Sequence, residues 1–397
     1  VAIAEIIGTT LAVAVGIIGL GVIALEAQYR RRSGNRLELR PGTWQVQVRE
    51  SDRYLLVGEL ELHNRTRSLE IMVPEVSAQV KLLSKGSLEG IECRTRVIPL
   101  HPDAPAREDD YWFAYIVKAG KTTQFKISID IRGGDLERLQ SAWVRVGYMT
   151  YGPEGRIPKL DHIVVPLQYP DPDETALPWR SRQGVGVLPI KTHLLTHLDD
   201  PVELVKRYVM PHAQPGDVVT LGETPLAIIQ GRWRYPADVK PGWVARRLCY
   251  YFLPTSSLAT ACGLQTLVDL VGSVRVFAAF AIGAIARLAG QRGVFYQLAG
   301  EQARLIDDVT GTLPPYDQFI VLGPQHPQHT VDRIQAETGL SAAIVDANDL
   351  KAVKILAATP DLSTSLLETA LQSNPAGNAD EQTPLVLIRP NPSESRE

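Results

Sequence analysis

Acidic residues gather at two places in this 397-residue chain where a buried strand pattern meets a loop. "RLIDDVTGTLPPYDQFIVLG" carries Asp307, Asp308 and Asp317 around a Gly- and Pro-rich loop, and "AAIVDANDL" carries Asp346, Asn348 and Asp349 at the end of an apolar run. Carboxylates and an amide at strand ends are hard oxygen donors suited to Mg²⁺ or Mn²⁺, cations that keep positions open for phosphate oxygens and water. Asp346, Asn348, Asp307 and Asp308 are therefore candidate metal ligands. The same residue types also suit turns and helix caps, and the pattern alone does not separate the two.

Three other stretches invite chemistry. "GDVVTLGETPLAIIQGR", Gly216 to Arg232, has the outline of a nucleotide-handling strand and loop, yet Ile228 and Gln230 stand where charges would be expected. "HLLTHLDD" spaces His193 and His197 as on one helical face, a metal-binding arrangement. Pro189 and Pro201 flank it too closely for a stable helix, and capping the next helix is the better task for Asp199 or Asp200. "KAGKTT", Lys118 to Thr123, lacks the glycine of a phosphate loop, because Tyr115 stands there. The strand-like "QFKISIDI" that follows predicts a hairpin turn.

These residues need elements to position them. From Leu37 to Leu167, period-two alternation in "TWQVQV", "VGELELHN", "QFKISIDI" and "WVRVGYMTY" predicts an antiparallel β-sandwich module. Residues 168–184 are rich in proline and acids and read as an extended linker. Residues 185–390 alternate helices with apolar strands, an α/β module within an α+β chain. "DVVTL", "PLAII", "AAIVDA" and "PLVLI" read as its buried strands; "DDPVELVKRYV", "TVDRIQAETG" and "STSLLETALQS" read as helices. The polar tail, 391–397, reads as disordered.

Ile6 to Leu25 is 20 residues without a charge, the length of a bilayer-crossing helix. Arg30, Arg31, Arg32 and Arg36 follow it. The expectation is a single transmembrane helix within residues 1–28, with the soluble parts on the cytoplasmic side. A second apolar stretch, Gly263 to Leu288, has an uncharged centre too short to span and reads either as a buried helix or as an interfacial or re-entrant one. A net charge of −3 gives no basic footprint for nucleic acid. Cys93, Cys249 and Cys262 are sparse and unpaired in pattern, as in a reducing compartment.

From about Val187 onward the order of segments resembles the coenzyme F-420 (deazaflavin) gamma-glutamyl ligases. "LPIKTHLLTHLDDPVELV", "GDVVTLGETPLAIIQGR", "VDANDL" and "QTPLVLIRP" stand in the family's order. With the apolar N-terminus, the chain looks like a membrane-tethered, cyanobacterial-type branch. The resemblance implies a GTP- and divalent-metal-dependent amide ligase, with Asp346 and Asn348 on the metal, Asp307 or Asp308 near the first metal position, and Pro189, Gly231 and Arg232 near the nucleotide. It also implies homodimers. The family's lysine falls on Ile228, its glutamate on Gln230, and its glycine-arginine pair on Asp349 and Leu350. Three readings follow: a membrane-anchored ligase using GTP with Mg²⁺ or Mn²⁺; a scaffold or assembly subunit of a complex at the plasma or thylakoid membrane; and a module that holds a nucleotide or deazaflavin-like ligand without turnover.

Overall fold

The computed structural model describes residues 15–28, 35–104, 107–153, 155–182, 184–308, 313–347, 352–377 and 381–390. The chain divides into two compact units: residues 1–80, 90–136 and 144–163 form the first, and 81–89, 137–143 and 164–397 the second.

In the first unit, α1 (Val15–Gln28) is a helix whose Ile17, Ile18, Leu20 and Ile23 are exposed. Among the described residues, no single helix is long and apolar enough to cross a membrane. The first part of the expected span and Arg30 to Arg32 lie outside the described residues. Eight strands follow, with one end each of β3, β7 and β8 counted in the second unit: β1 (Leu37–Arg49), β2 (Arg53–Asn64), β3 (Ile71–Ser84), β4 (Glu92–Leu100), β5 (Tyr115–Val117), β6 (Thr122–Arg132), β7 (Leu139–Gly152) and β8 (Gly155–Pro166). They form two four-stranded sheets, β1-β2-β6-β4 and β5-β3-β7-β8. The pairings β1–β2, β2–β6, β4–β6 and β3–β5 are antiparallel. Alternation works as period two requires: Leu56, Leu60 and Leu62 of β2 and Phe125, Ile127, Ile129 and Ile131 of β6 are buried, with polar neighbours between them.

The "KAGKTT" turn is not a hairpin. Strand β5 pairs with β3 in one sheet, while β6 pairs with β2 and β4 in the other, so the turn crosses between sheets. The Gly120 N–H donates to the carbonyl of Asn64, whose side-chain amide donates to the carbonyls of Leu69 and Val117. That corner, not strand pairing across the turn, sets its path.

The long segment of the second unit starts at Val164, so it contains the whole stretch read as a linker. Pro172–Glu174 is a 3-10 turn capped by Asp171, Ala176 bridges Ile190, and β9 (Arg180–Arg182) pairs with β10 (Val185–Ile190). Proline and acid content thus marks an edge segment here, its backbone anchored on β10. Then come α2 (Pro201–Leu204, continuing as a π turn over Val205–Val209), β11 (Val218–Gly222), α3 (Glu223–Ile229), β12 (Trp233–Arg234), α4 (Trp243–Leu248), α5 (Ala261–Val271), α6 (Ser273–Leu288), α7 (Val294–Ala299) and α8 (Gln302–Leu305). After these follow β13 (Asp307–Asp308), β14 (Ile320–Val321), α9 (Pro327–Thr338), β15 (Ser341–Ala347), β16 (Val353–Ala358), α10 (Thr364–Leu371) and β17 (Leu385–Pro390).

The six-stranded sheet runs β16-β15-β11-β17-β10-β9. Strands β11 and β15 are parallel, and the other pairings are antiparallel. On one side Val219 and Leu221 meet Val331 and Ile334 of α9 and Val202 of α2; on the other Val218 meets Leu367 and Leu371 of α10. Burial on both faces is why "DVVTL" and "PLVLI" read as unbroken apolar runs. Asp217 ties the two strands: it accepts the Gln214 N–H and receives Arg389 of β17 at 2.7 and 2.9 Å. Gly216, at φ 90°, makes the turn that delivers it.

"PLAII" is the C-terminal part of helix α3 rather than a strand. Leu226 and Ala227 are fully buried and Ile228 and Ile229 nearly so. A helix enclosed on all sides loses its polar stripe, so periodicity no longer separates it from a buried strand. The remaining helices, α4 to α8, gather around Leu248, Leu258, Leu264, Leu267, Val276, Ala279 and Ala303.

Candidate functional site

Parallel pairing of β11 with β15 places Gly222 opposite Val345. An acid follows each of these residues, Glu223 as the first residue of α3 and Asp346 within β15, at the carboxyl ends of the only parallel pair described. In open α/β sheets that end is where ligands bind. A cavity of about 390 Å³ opens there, lined by both acids together with Asp307, Thr220, His193 and Tyr316. Its size falls within the ordinary range for small-molecule sites.

Two of the acids are perturbed. Burial raises the Glu223 pKa most, the Asp346 and Asp307 carboxylates raise it further, and Lys354 opposes them, leaving it at about 8. Asp307 is pushed up by crowding from the protein and by Asp346, although its side of β13 remains open to solvent. Lys354 lies across from Asp346 on β16 and is drawn toward Glu301, 3.8 Å away. Among the described lining residues there is no lysine or arginine. Ile228, at the position the resemblance assigns to a lysine, is part of the cavity wall.

His193 also lines the cavity, with both ring nitrogens engaged: Nδ1 lies 2.8 Å from the Tyr208 hydroxyl and Nε2 2.9 Å from Asp199. Asp199 additionally accepts the Thr196 N–H. His197 is half-buried against Trp233, and the desolvation of its ring lowers its pKa to about 4. The segment is not helical, so the two imidazoles do not share a helical face. Asp200 caps α2 by accepting from the Val202 and Glu203 N–H groups. Tyr316 is fully buried, and its hydroxyl has no partner among the described residues.

The residues expected at the site are only partly brought together. Asp346 and Asp307 share the cavity; Asp308 sits beside Asp307 in β13 with its backbone opposite Ile320. Asn348, Asp349 and Leu350 lie outside the described residues. Arg232 is not in the cavity lining. Its Nε donates to the Gly323 carbonyl at 2.5 Å and its Nη2 to Gln302 at 2.9 Å. Gln230 clamps the same loop, exchanging hydrogen bonds with the backbone of Gln325. Gly231 makes the intervening left-handed turn at φ 66°. Pro189 is within β10 opposite Val386, its carbonyl accepting from Leu177.

Sequence reasoning missed Glu223. The signal was Pro225, two residues later, because proline is favoured in a helix's first turn and an acid there faces the helix dipole.

A metal fits this donor set only in one form. Among the described residues no group of three or more His, Cys, Asp or Glu could hold an ion by itself. A cation such as Mg²⁺ needs no such cage, since one or two carboxylates with phosphate oxygens and water suffice. The raised Glu223 and Asp307 are what uncompensated carboxylates show, and a bound cation would lower both.

Residues 38–169 match the family model of the N-terminal Ig-like domain of F420-0:gamma-glutamyl ligase. The match covers the β-rich N-terminal part, whereas the resemblance read from the sequence lay in residues 187–390. The β-sandwich-like sheets of the first unit agree with it. No curated protein matches the chain. Among solved structures, the GAE domain of GGA2p from Saccharomyces cerevisiae is 6% identical with a TM-score of 0.20, covering 34% of this chain and 94% of that one. A protein from Archaeoglobus fulgidus is 11% identical with a TM-score of 0.19, covering 33% of this chain and 98% of that one. Likenesses this distant carry no argument.

Proposed function

We propose that this chain is a membrane-tethered relative of the gamma-glutamyl ligases whose second unit binds a divalent cation with a phosphorylated ligand, and that it binds rather than ligates. One observation carries this reading: the cavity gathers Glu223, Asp307 and Asp346 and has Ile228, not a cation, in its wall. A ligase of this kind phosphorylates a carboxylate and lets an amine displace the phosphate. Positioning and neutralisation of phosphoryl charge do most of that work. A divalent ion would supply part of the neutralisation. Asp346 and Asp307 would hold it and Tyr316 can donate to a ligand oxygen, but no described lysine or arginine lines the cavity. Loss of one stabilising group of this type typically costs about 10²–10³ in rate.

A second reading, an active ligase, is favoured by Glu223 itself. With its pKa near 8 it is largely protonated at neutral pH and suited to proton transfer. The tether is supported by the exposed apolar helix α1 and by the arginines after it, and the positive-inside rule applied to those arginines favours a cytoplasmic side for the rest of the chain.

The test is phosphate release from GTP with Mg²⁺ or Mn²⁺, for the full chain, for Asp346→Ala and for Ile228→Lys. The binding reading expects no release above the Asp346→Ala background in the natural chain. Turnover that Asp346→Ala abolishes would establish the enzyme instead.

A further inference from the structure

Helix α6 is apolar on both sides. Val276 and Ala279 face the helical core, while Val274, Phe277, Ile285 and Leu288 are exposed at 81, 47, 68 and 91%. With Ala278, Ala281 and Ala284 between them, these positions recur every three or four residues and form one continuous outward stripe. Aromatic residues extend it. Trp243 of α4, 65% exposed, lies 6.4 Å from Phe277, and Tyr251 lies 5.4 Å from Phe280. Tyr250 and Leu253 beside them are exposed at 85 and 66%. A contiguous apolar surface of this kind marks an interaction site.

The charge around it selects the partner. Between Lys240 and Gly300 there are six basic residues (Lys240, Arg246, Arg247, Arg275, Arg287, Arg292) and one acid, Asp269, in a chain of net charge −3. Asp269 is already paired with Arg234 at 2.5 Å. Arg275 is spent on the Leu298 carbonyl. Arg246, Arg247, Arg287 and Arg292 are exposed. An apolar stripe with tryptophan and tyrosine at its margin and arginines around it matches the interfacial zone of an anionic bilayer.

We infer that the α4–α6 surface docks on an anionic membrane face, with α6 lying in the interface and not crossing it. Geometry argues against crossing. Helix α6 has 16 residues, about 24 Å against a hydrocarbon core of about 30 Å. It meets α5 at a bend of 113°, and Leu264 and Leu267 of α5 are fully buried in the helical core. Val274, Phe277, Ile285 and Leu288 enter the acyl boundary, Trp243, Tyr250 and Tyr251 occupy the headgroup level, and the four free arginines meet lipid phosphates. This contact is independent of the N-terminal tether and of what the acidic cavity holds.

The test uses the full chain reconstituted into vesicles of brominated phosphatidylcholine, with and without phosphatidylserine. Flotation reports the tether; tryptophan quenching reports docking. With phosphatidylserine present, quenching is expected, with most of it lost in Trp243→Phe and reduced in Ile285→Asp while flotation is unchanged. Both substituted side chains are exposed, so folding is not at stake. Equal quenching of the natural chain and Trp243→Phe, in vesicles that float, would overturn the inference. So would a concentration-dependent blue shift of Trp243 in detergent, which would mean that a second copy covers the face.

Discussion

Glu223 and Asp346 leave neighbouring parallel strands at the same end, one residue beyond the Gly222–Val345 pair. Strand register, not proximity in sequence, makes them neighbours, and their mutual repulsion is built into the fold. The raised Glu223 pKa follows from burial and from this neighbour.

That shift fixes a pH dependence. An isolated glutamate ionises near 4.5 and Glu223 near 8, so between these values the folded chain holds a proton that the unfolded chain releases. Its contribution to stability is complete below pH 4.5 and is lost as pH rises through 8. Glu223→Gln should flatten the decline in Tm between pH 6 and 9, leaving the variant relatively more stable at the alkaline end by ~1–3 kcal/mol. Thermal melts across that range, in chelator, check it. Parallel curves for the two proteins would show that Glu223 is not the titrating group.

Arg232 is a structural tie, and its replacement should reveal this. Arg232→Met removes bonds to the Gly323 carbonyl and Gln302. Leaving a half-buried carbonyl and amide unpaired should cost ~1–3 kcal/mol. Ligand affinity, measured in the folded variant, should be unchanged. A large affinity loss with no loss of stability would move Arg232 into the site.

Asp217 is the stronger structural prediction. It is nearly fully buried and accepts Arg389 at two points. Asp217→Ala should destabilise the chain by roughly 3 kcal/mol, since a guanidinium loses its buried partner. Urea titration should show a lower midpoint with an unchanged slope.

Topology gives a further prediction. Asp171 to Glu174 form an exposed turn in the second unit. In sealed, right-side-out vesicles, added protease should not cut there until detergent opens the membrane. Cleavage without detergent would place the second unit on the outer side.

Much of this architecture was legible because single residues carried it. Alternation in β2 and β6 announced a half-buried sheet, and unbroken runs at β11 and β17 announced strands covered on both faces. Helix α3 was not legible, because burial erased its polar stripe and left an apolar run of either type. At the site, Asp346 and Asp307 were visible as acids at strand ends. Their convergence with Glu223 was not, because it depends on the register of β11 with β15. Arg232 was misleading for a related reason: a Gly-Arg pair after a loop looks the same whether it meets a phosphate or its own Gly323 carbonyl.

The central claim is that the acidic end of this cavity holds a divalent cation together with a phosphorylated ligand. Calorimetric titration of the full chain with GTP, in Mn²⁺ and in chelator, tests it most directly against Asp346→Ala. The account predicts binding in Mn²⁺ that disappears in chelator and in Asp346→Ala, because a hard cation that loses a charged oxygen is held far more weakly. Binding that is the same in chelator, or that survives Asp346→Ala, would contradict it.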